Sequence, residues 1–411
     1  PCGTLFPYTT LFRSGGKRHR LIGHKPGTLP VRKIRAGLAV VAGAGLAGCT
    51  TARALAERGW RVRMIDPSGV ASGASGNLAG VTHSSVSAHM TSQNRFYQLA
   101  LVHALATFRR MGFPVSDEDG RLDQVIQYAA DARMARKIDK AYRAGTWPEE
   151  LLNRRSDRSI AFLGSGFLRP GRWCRHLLDH PAIDMTTARL LNFTMDKEVL
   201  AVTDSTSTYG ADVLVLAIAG DIRQFPVASW LPLKAIRGQV SYVVATPESQ
   251  RWEQAICHAG YLTPALNGLH CIGATFDINE TSLEPRRQDD LTNLEQLKTQ
   301  LPDHWQALGG KDVEIAGQRV GLRCQTPDFL PMAGPLPDPS HIPHTIMDSV
   351  YLNLAHGSRG LTHTPLCADL IADAATGMTP FVDQELLDAL APERFISRKR
   401  RRNPEWLPGM D

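Results

Sequence analysis

Short apolar runs separated by a helical pattern organise the chain from residue 38 onward. Residues 38–42 form a continuous apolar run, residues 50–58 repeat apolar positions at helical spacing, and residues 62–65 form a second apolar run. An unbroken apolar run of this length is typical of a buried strand, and alternation of strands with a helix indicates a parallel sheet. The pattern predicts a strand–helix–strand unit that opens an α/β domain.

The turn inside this unit carries a spaced set of glycines. Gly43-x-Gly45-x-x-Gly48 joins the first predicted strand to the helix, and Asp66 ends the second strand. Such glycines allow a tight turn, close approach of backbone to a pyrophosphate, and close packing of helix on strand. The helix N-terminus offers free amides to phosphates, and the acid can accept from ribose hydroxyls. The unit therefore predicts a dinucleotide site; the alternative is a glycine-rich turn that binds nothing.

Two further glycine-rich segments fall where such a cofactor would pass. Residues 71–80 follow the second strand, and their amides and Ser hydroxyls suit phosphates and a flavin. Residues 354–361 precede a helix predicted over 364–376, whose N-terminus suits a flavin oxygen that gains negative charge on reduction. An ordinary loop and a plain helix start are the alternatives. A second buried strand, predicted over 211–220 and ending in glycine, is expected beside the cofactor. The predicted cofactor-binding residues are Gly43, Gly45, Leu46, Ala47, Gly48, Asp66, Ser75, Gly76, Asn77, Ala217, Gly220, Gly357, Ser358, Arg359, Gly360 and Leu361.

The pattern changes between these segments. An amphipathic helix is predicted over 92–111, and a polar, helix-rich insertion over 117–153. An Asn267-Gly268 pair between two short apolar runs is typical of a hairpin. The short β segments, predicted to form an antiparallel sheet over the cofactor's reactive face, are 238–245, 259–264 and 270–276.

Arg323 is the candidate catalytic residue. It lies between a predicted strand and a Pro-rich turn, beside apolar positions. A guanidinium in such a setting can hold a carboxylate by two parallel hydrogen bonds. The alternative is a structural salt bridge, with Asp328 as the partner.

Composition narrows the class of protein. A chain of 411 residues that is 43% hydrophobic supports two or three domains with sizeable cores. The net charge is +6, and basic runs lie at 17–20 and 398–402. Such runs suit a polyanionic partner or are solvated tails.

Several classes are disfavoured. Seven cysteines without a CxxC pair favour a reducing, cytoplasmic location over a zinc or disulfide framework. No apolar run reaches membrane-spanning length, and Pro7 interrupts the first apolar stretch, unlike a signal peptide. The histidines lack HExxH spacing, so no metal site is predicted, and neither a GxSxG nor a GKS/T motif occurs.

The first residues differ from the remainder. TLFPYTTLFRS, residues 4–14, resembles the translation of a sequencing adaptor. Residues 1–36 are therefore expected to be an adaptor-like artefact followed by a basic linker, with the true start of the gene upstream.

Five motifs occur in an order shared with a known family. The chain resembles the C-terminal FAD-dependent oxidoreductase domain of the bifunctional tRNA 5-methylaminomethyl-2-thiouridine biosynthesis proteins, which is of the glycine-oxidase/D-amino-acid-oxidase type. The resemblance extends from about residue 38 to 398. The motifs are GAGLAG at 43–48, GASGNLAG at 73–80, GYLTP…HCIGATF at 260–276, GLRCQTPDFLPMAG at 321–334 and HGSRGLTHTPLCADLIA at 356–372.

The resemblance implies non-covalent FAD and oxidation of a CH–NH bond. It implies removal of the carboxymethyl group from 5-carboxymethylaminomethyl-(2-thio)uridine at the tRNA wobble position, giving the aminomethyl nucleoside and glyoxylate. It gives Arg323 the role of holding the substrate carboxylate. A methyltransferase domain is expected to be encoded upstream. The alternatives are a small-molecule amine oxidase acting on glycine or sarcosine, and an inactive FAD-binding fragment.

The expected fold is α/β, with a Rossmann-like FAD-binding domain of glycine-oxidase type and an interleaved β-rich substrate domain. The FAD-binding domain is assigned to 37–90, 155–230 and 318–396. The substrate domain is assigned to 91–154 and 231–317, with a basic tail over 397–411.

Overall fold

The computed structural model describes residues 36–195, 198–205, 207–340 and 342–408. The predicted adaptor-like segment and the basic run at 17–20 lie outside the described residues. The strands are β1 (Leu38–Ala42), β2 (Arg61–Asp66), β3 (Gly80–Thr82), β4 (Gly120–Tyr128), β5 (Leu152–Ser156), β6 (Ser159–Leu168), β7 (Ile183–Thr187), β8 (Leu190–Met195), β9 (Val199–Thr203), β10 (Thr208–Ala211), β11 (Val213–Leu216), β12 (Lys234–Val244), β13 (Ala255–Cys257), β14 (Tyr261–Leu262), β15 (Leu269–Gly273), β16 (Asp277–Ile278), β17 (Ile315–Gln325), β18 (Met332–Asp338) and β19 (Thr345–Leu354).

Helices cover the sheets and join them. The helices are α1 (Leu46–Glu57), α2 (Ser92–Arg110), α3 (Ala132–Arg143), α4 (Pro170–Leu178), α5 (Arg287–Gln300), α6 (Pro302–Ala307), α7 (Gly360–Thr376), α8 (Gln384–Leu390) and α9 (Arg394–Arg402). None of the helices in the described ranges is long and apolar enough to cross a membrane.

The predicted opening unit is the centre of a mostly parallel sheet. Six strands run in the order β18-β19-β11-β1-β2-β7. β1 pairs in parallel with β2 on one side and β11 on the other, as expected from the apolar runs. The predicted strand over 211–220 is shorter than expected, because Ala219 adopts a left-handed φ of 52° and turns the chain into a 3₁₀ turn over Ala219–Gln224. Gly220 therefore lies in that turn and does not end the strand.

A ten-stranded sheet forms the second layer. Its path is β16-β12-β15-β14-β13-β4-β6-β3, with β17 added to β12 and β5 to β6. The predicted hairpin is confirmed, since β14 and β15 pair antiparallel across residues 263–268. The helix-rich prediction over 117–153 is wrong in part. Residues 120–128 form strand β4, which pairs antiparallel with β6 and buries the adjacent Val125 and Ile126 on opposite faces of the sheet.

Sheet membership differs from the predicted domain boundaries. β3, β6 and β17 fall in segments assigned to the FAD-binding part, yet they pair within the ten-stranded sheet. The chain crosses between the layers at these strands. Likewise, the predicted tail from residue 397 begins inside helix α9 (Arg394–Arg402), which buries Phe395 and Ile396. Both differences arise from long-range pairing, which local pattern does not encode.

A buried helix pair supports the cofactor side of the parallel sheet. α1 packs against α7, and Trp60 donates its indole N–H to Thr376 Oγ1 at 3.0 Å. Arg58 bridges Asp369 and Asp373 of α7. The two helices are therefore fixed side by side, and their N-terminal ends both belong to glycine-rich loops.

Candidate functional site

The glycine-rich turn after β1 has the tightness that its spacing predicts. Gly43 has φ of +100°, and a Cβ there would lie 2.5 Å from the Ala217 carbonyl oxygen. A Cβ on Gly48 would lie 1.7 Å from the Gly43 carbonyl oxygen. Only glycine permits this approach of α1 to the strand. Ala217 is thus brought against the turn, and its amide donates to Ala42 at 2.8 Å.

The first turn of α1 faces the loop after β2. Leu46, Ala47 and Gly48 begin the helix, and the Leu46 amide donates to Ser75 Oγ at 3.0 Å. Asp66 accepts from the Ala44 amide at 2.8 Å and from Ser68. An anion placed here meets unsatisfied helix amides and the positive end of the helix dipole. The predicted phosphate seat, the ribose acid and the loop hydroxyl are therefore assembled.

The loop before α7 lies beside the start of α1. The Gly357 amide donates to the Cys324 carbonyl oxygen of β17 at 2.9 Å. Cβ atoms built at Gly360 and Gly80 would each lie 2.9 Å from a side-chain carbon, of Leu46 and Leu361 respectively. No side chain caps the start of α7 in the part of the chain that the structure describes. Its first amides are thus available to a cofactor beside α1.

Arg319 of β17 and Asn353 of β19 position the segments around the glycine turn. Arg319 donates to the carbonyl oxygens of Ser72 and Gly73 and fixes the loop that carries Ser75, Gly76 and Asn77. Asn353 donates to Ala47 and Thr51 of α1 and contacts His356 through its Oδ1 at 2.9 Å. Sequence reasoning missed both positioning residues, because each acts on a segment hundreds of residues away.

Two predicted residues are less constrained. Gly220 lies in an exposed turn where a Cβ would meet nothing within 4 Å. Ser358 is exposed in the loop before α7.

Arg323 lies inside β17, two residues before its end. Its guanidinium lies over Gly238 of β12, donates to the Thr275 carbonyl oxygen at 3.2 Å, and is 6.0 Å from the Phe276 ring centroid. The alternative pairing with Asp328 is not observed, since Asp328 pairs with Arg394 and Arg398. Within the described ranges no carboxylate forms a salt bridge with Arg323.

Two tyrosines share the surroundings of Arg323. Burial lowers the pKa of Arg323, while Tyr261 and Asp277 raise it, and an arginine stays charged at neutral pH. Burial, and then Cys271, raises the pKa of Tyr261, so its phenol is protonated. Tyr242 accepts from the Leu78 amide at 3.3 Å and so connects residues 71–80, called here the cofactor loop, to the ten-stranded sheet. Sequence analysis did not single out either tyrosine, although Tyr261 belongs to the GYLTP motif.

A histidine cluster lies beside the start of α7. Arg359 is 5.0 Å from the Tyr97 ring centroid, and His363 stacks on the same ring at 5.3 Å. Burial, with a further effect of Arg359, lowers the pKa of His83 to about 3, and burial lowers that of His356 to about 3. The pKa of His363 is also well below its usual value, for burial first and Arg359 second. The cluster is therefore neutral at pH 7 apart from Arg359.

Unpartnered polar atoms mark this cluster as a ligand environment. Buried nitrogens of His83, His356, Arg359 and both ring nitrogens of His363 make no hydrogen bond. Leaving such atoms unpaired costs about 1–3 kcal/mol each. Together with the uncapped helix starts, they fit the polar edges of a bound FAD.

The neutral histidines predict acid sensitivity. Because the unfolded chain binds protons below pH 6.5 while the folded cluster does not, the stability they contribute is complete above pH 6.5 and falls as pH drops towards 3. Replacing His363 with Phe should reduce the slope of unfolding free energy against pH by about 1.4 kcal/mol per pH unit in this window. Urea unfolding followed from pH 7 to pH 4.5 measures it. Parallel slopes for both proteins would contradict the neutral state of His363.

Metal chemistry finds no support in the described ranges, where no group of three His, Cys, Asp or Glu side chains could hold an ion. The site instead combines two uncapped helix starts, a glycine turn and a desolvated guanidinium.

The chain is similar to named proteins in sequence and in fold. The bifunctional tRNA 5-methylaminomethyl-2-thiouridine biosynthesis protein MnmC of Stutzerimonas stutzeri is 33% identical over 406 residues, covering 90% of this chain and 61% of the relative. This chain thus spans about three fifths of the length of that protein. Glycine oxidase from Geobacillus kaustophilus has a similar fold, with a TM-score of 0.69 at 18% identity over 87% of this chain and 98% of that one. Iminodiacetate oxidase from Chelativorans sp. BNC1 has a TM-score of 0.70 at 17% identity, over 86% of this chain and 98% of that one.

The profile of the family described as FAD dependent oxidoreductase (DAO) matches residues 39–374. That range includes the glycine turn, the cofactor loop, Arg323 and the start of α7. The predicted FAD cofactor and the α/β fold of glycine-oxidase type are thereby confirmed. The chain belongs to the DAO family of FAD-dependent oxidoreductases.

Proposed function

We propose that this protein oxidises the carboxymethylaminomethyl group of a tRNA wobble uridine. The product is the aminomethyl nucleoside, and the released fragment is glyoxylate. The similarity to proteins named for tRNA 5-methylaminomethyl-2-thiouridine biosynthesis supports the substrate. The observation that carries the proposal is Arg323, a guanidinium in the ten-stranded sheet that forms no salt bridge with any carboxylate of the described residues.

The reaction needs a carboxylate held in place. The substrate contains an N-substituted glycine, R–CH2–NH–CH2–COO⁻, and Arg323 can bind its carboxylate through two N–H groups. Fixing the carboxylate places the adjacent carbon, and orientation of this kind supplies much of a rate enhancement. The protonated Tyr261 phenol adds a hydrogen-bond donor in the same surroundings. These residues bind and orient the substrate.

When bound, FAD would supply the two-electron oxidant that accepts hydride from the carbon next to the carboxylate. The amine loses its proton, and the C–N bond becomes an imine, R–CH2–N=CH–COO⁻. Water adds to the imine and cleaves it to R–CH2–NH2 and OHC–COO⁻. The protein is not required to provide a strong base, because an amine that is already neutral needs no further activation.

Gly238 offers a test of the position of Arg323. A Cβ at Gly238 would lie 2.1 Å from Arg323 Nη1 and 2.4 Å from Cζ, so Gly238→Ala must displace the guanidinium. We expect kcat/KM to fall by about 100-fold, since a misplacement near 1 Å has effects of that order. FAD content should be retained. The matched control is Gly317→Ala in β17, where a Cβ would meet only Tyr242 at 3.5 Å. Equal activity of the two variants would argue against the role of Arg323.

The function itself is tested by anaerobic flavin reduction. The purified chain is mixed with tRNA that carries the carboxymethylaminomethyl group, and the flavin absorbance is followed. Glycine and sarcosine are run in parallel. Bleaching by the tRNA, with glyoxylate formed in equal amount, supports the proposal.

Two other outcomes would reject it. Bleaching by sarcosine or glycine and not by tRNA would favour a small-molecule amine oxidase, which uses the same carboxylate contact. A flavin that no substrate reduces would favour an FAD-binding fragment without activity.

A further inference from the structure

A rigid loop follows the strand that carries Arg323. Residues 326–330 connect β17 to β18, and Thr326 Oγ1 donates across the loop to the Leu330 carbonyl oxygen at 2.6 Å. Gln93 and Tyr97 of α2 donate to the carbonyl oxygens of Asp328 and Phe329, both at 3.1 Å. Tyr97 is also the ring beneath Arg359. The loop is therefore fixed to the candidate site from one side.

Helix α9 fixes the loop from the other side. Arg394 donates to both carboxylate oxygens of Asp328 and to the Leu330 carbonyl oxygen, and Arg398 also contacts Asp328. The contacts described above bind the Asp328 side chain and the carbonyl oxygens of residues 328–330, whereas Pro327 and Phe329 are exposed.

The backbone of Phe329 adopts a left-handed conformation that is unfavourable for a bulky residue. Its φ is +63°, a region that bulky side chains rarely adopt, and its side chain is 57% exposed. Phe276, whose ring lies near Arg323, is 51% exposed. Backbone strain kept at a preorganised loop is a feature of binding sites. Two exposed aromatic rings thus accompany the elements that hold the candidate substrate guanidinium.

The outer face of α9 is strongly basic. The helix sequence RFISRKRRR contains no acid, and Arg398, Lys399, Arg401 and Arg402 are exposed. No salt bridge to Arg401 or Arg402 is present in the described ranges. Asp328 is already bonded by two arginines, and Glu393 at the start of the helix pairs with His344, so neither acid neutralises the outer positions. A polyanion is the partner that such a face attracts.

We propose that Phe329 and the basic face of α9 form a docking surface for a single-stranded RNA loop. A nucleobase stacks on Phe329 and the adjacent phosphates bind Arg401 and Arg402. Exposed aromatics beside basic residues are the means by which proteins bind unpaired nucleotides. This assignment rests on the proposed function, because the loop that it would hold is the anticodon loop that presents the modified uridine to Arg323.

The surface is tested with the full chain loaded with FAD. A fluorescein-labelled, unmodified RNA hairpin of anticodon-arm length and a fully paired duplex of equal length are titrated at several salt concentrations. Fluorescence anisotropy gives the affinity. FAD content and melting temperature report folding, and because no oxidation is required, the result is independent of whether the proposed reaction occurs.

Two variants separate stacking from charge. Phe329→Leu should weaken hairpin binding by about tenfold or more at every salt concentration, without changing the salt slope, whereas Phe329→Tyr should bind as the parent does. The double variant Arg401→Ala and Arg402→Ala should reduce the slope of log affinity against log salt by about 1.4, because each lost phosphate contact contributes about 0.7. The control pair Arg155→Ala and Arg158→Ala removes two exposed arginines near β5.

The proposal is overturned if Phe329→Leu binds the hairpin as the parent does. It is also overturned if that variant loses hairpin and duplex affinity equally, since a stacking site requires unpaired bases. A slope reduced as much by the β5 pair would show general attraction to a basic protein. If the parent binds the hairpin as predicted while modified tRNA leaves the flavin oxidised, the proposed reaction fails and the docking surface stands.

Discussion

Replacing Arg323 with Ala is expected to abolish most turnover while leaving FAD bound. The variant loses the guanidinium that is proposed to pair with the substrate carboxylate, and removing one partner of a desolvated pair costs about 2–5 kcal/mol. At about 4 kcal/mol the loss in kcat/KM is roughly 1,000-fold. FAD is retained because Arg323 belongs to the ten-stranded sheet and donates to Thr275, not to the loops that hold the cofactor. Stopped-flow reduction of the flavin gives the rate, and the absorbance spectrum gives FAD content.

The controls for this result distinguish charge from geometry. Arg323→Lys keeps the charge but loses the planar fork, so it should restore only part of the activity. Arg121→Ala removes an exposed arginine of the same sheet that pairs with Glu253, and it should behave as the parent. Turnover within twofold of the parent after Arg323→Ala would assign Arg323 a structural role and remove the main support for the proposed function.

Replacing Gly45 with Val should yield a folded protein that does not hold FAD. A Cβ at this position would lie 3.0 Å from Ser75 Oγ, and the two methyl groups of valine extend into the space before the α1 amides. A pyrophosphate could then not approach the helix N-terminus. The loss is expected to be large because the pyrophosphate is the most highly charged part of FAD and the α1 amides are its predicted binding site. Spectroscopy of the purified protein, and reconstitution with excess FAD, measure it.

A glycine elsewhere provides the matched control. Gly171 lies in the first turn of α4, where a Cβ meets only ordinary contacts such as Ala71 at 3.7 Å. Gly171→Val should therefore purify with FAD at the parental level. Far-ultraviolet circular dichroism of the Gly45→Val protein shows whether the fold persists. A yellow Gly45→Val protein with a parental spectrum would place the pyrophosphate elsewhere.

The parts of this protein that were predictable from sequence are those with local causes. Gly43, Gly48 and Asp66 lie within one strand–helix–strand unit, so spacing alone predicts their geometry. The helix over 92–111 and the hairpin at Asn267-Gly268 follow from short-range patterns. The position of Arg323 within β17, close to its end, does not, because the strand is defined by pairing with β12, almost 90 residues earlier. The same holds for strand β4, whose polar sequence resembles a helix until β6 pairs with it.

The residues that sequence reasoning missed act between distant segments. Arg319 binds a loop almost 250 residues earlier, and Asn353 joins α1 to the loop before α7. Tyr97, His363 and Arg359 meet only because α2 packs on α7. No local pattern in the sequence predicts contacts between such distant residues. The histidine cluster is recognisable only from the three-dimensional structure, where burial explains why its members stay neutral.

Strand β17 sets the spacing of three contacts around the candidate site. From this one strand, Arg319 donates to the loop over residues 71–80, Arg323 is the residue proposed to bind the carboxylate, and the Cys324 carbonyl oxygen accepts from the loop before α7. A strand rises about 3.3 Å per residue, so the backbone fixes the distances between these positions. If Arg323 holds the carboxylate as proposed, an acid with one more methylene between nitrogen and carboxylate would present the wrong carbon to the oxidant. Under the proposed function, discrimination by chain length therefore follows from the backbone of β17.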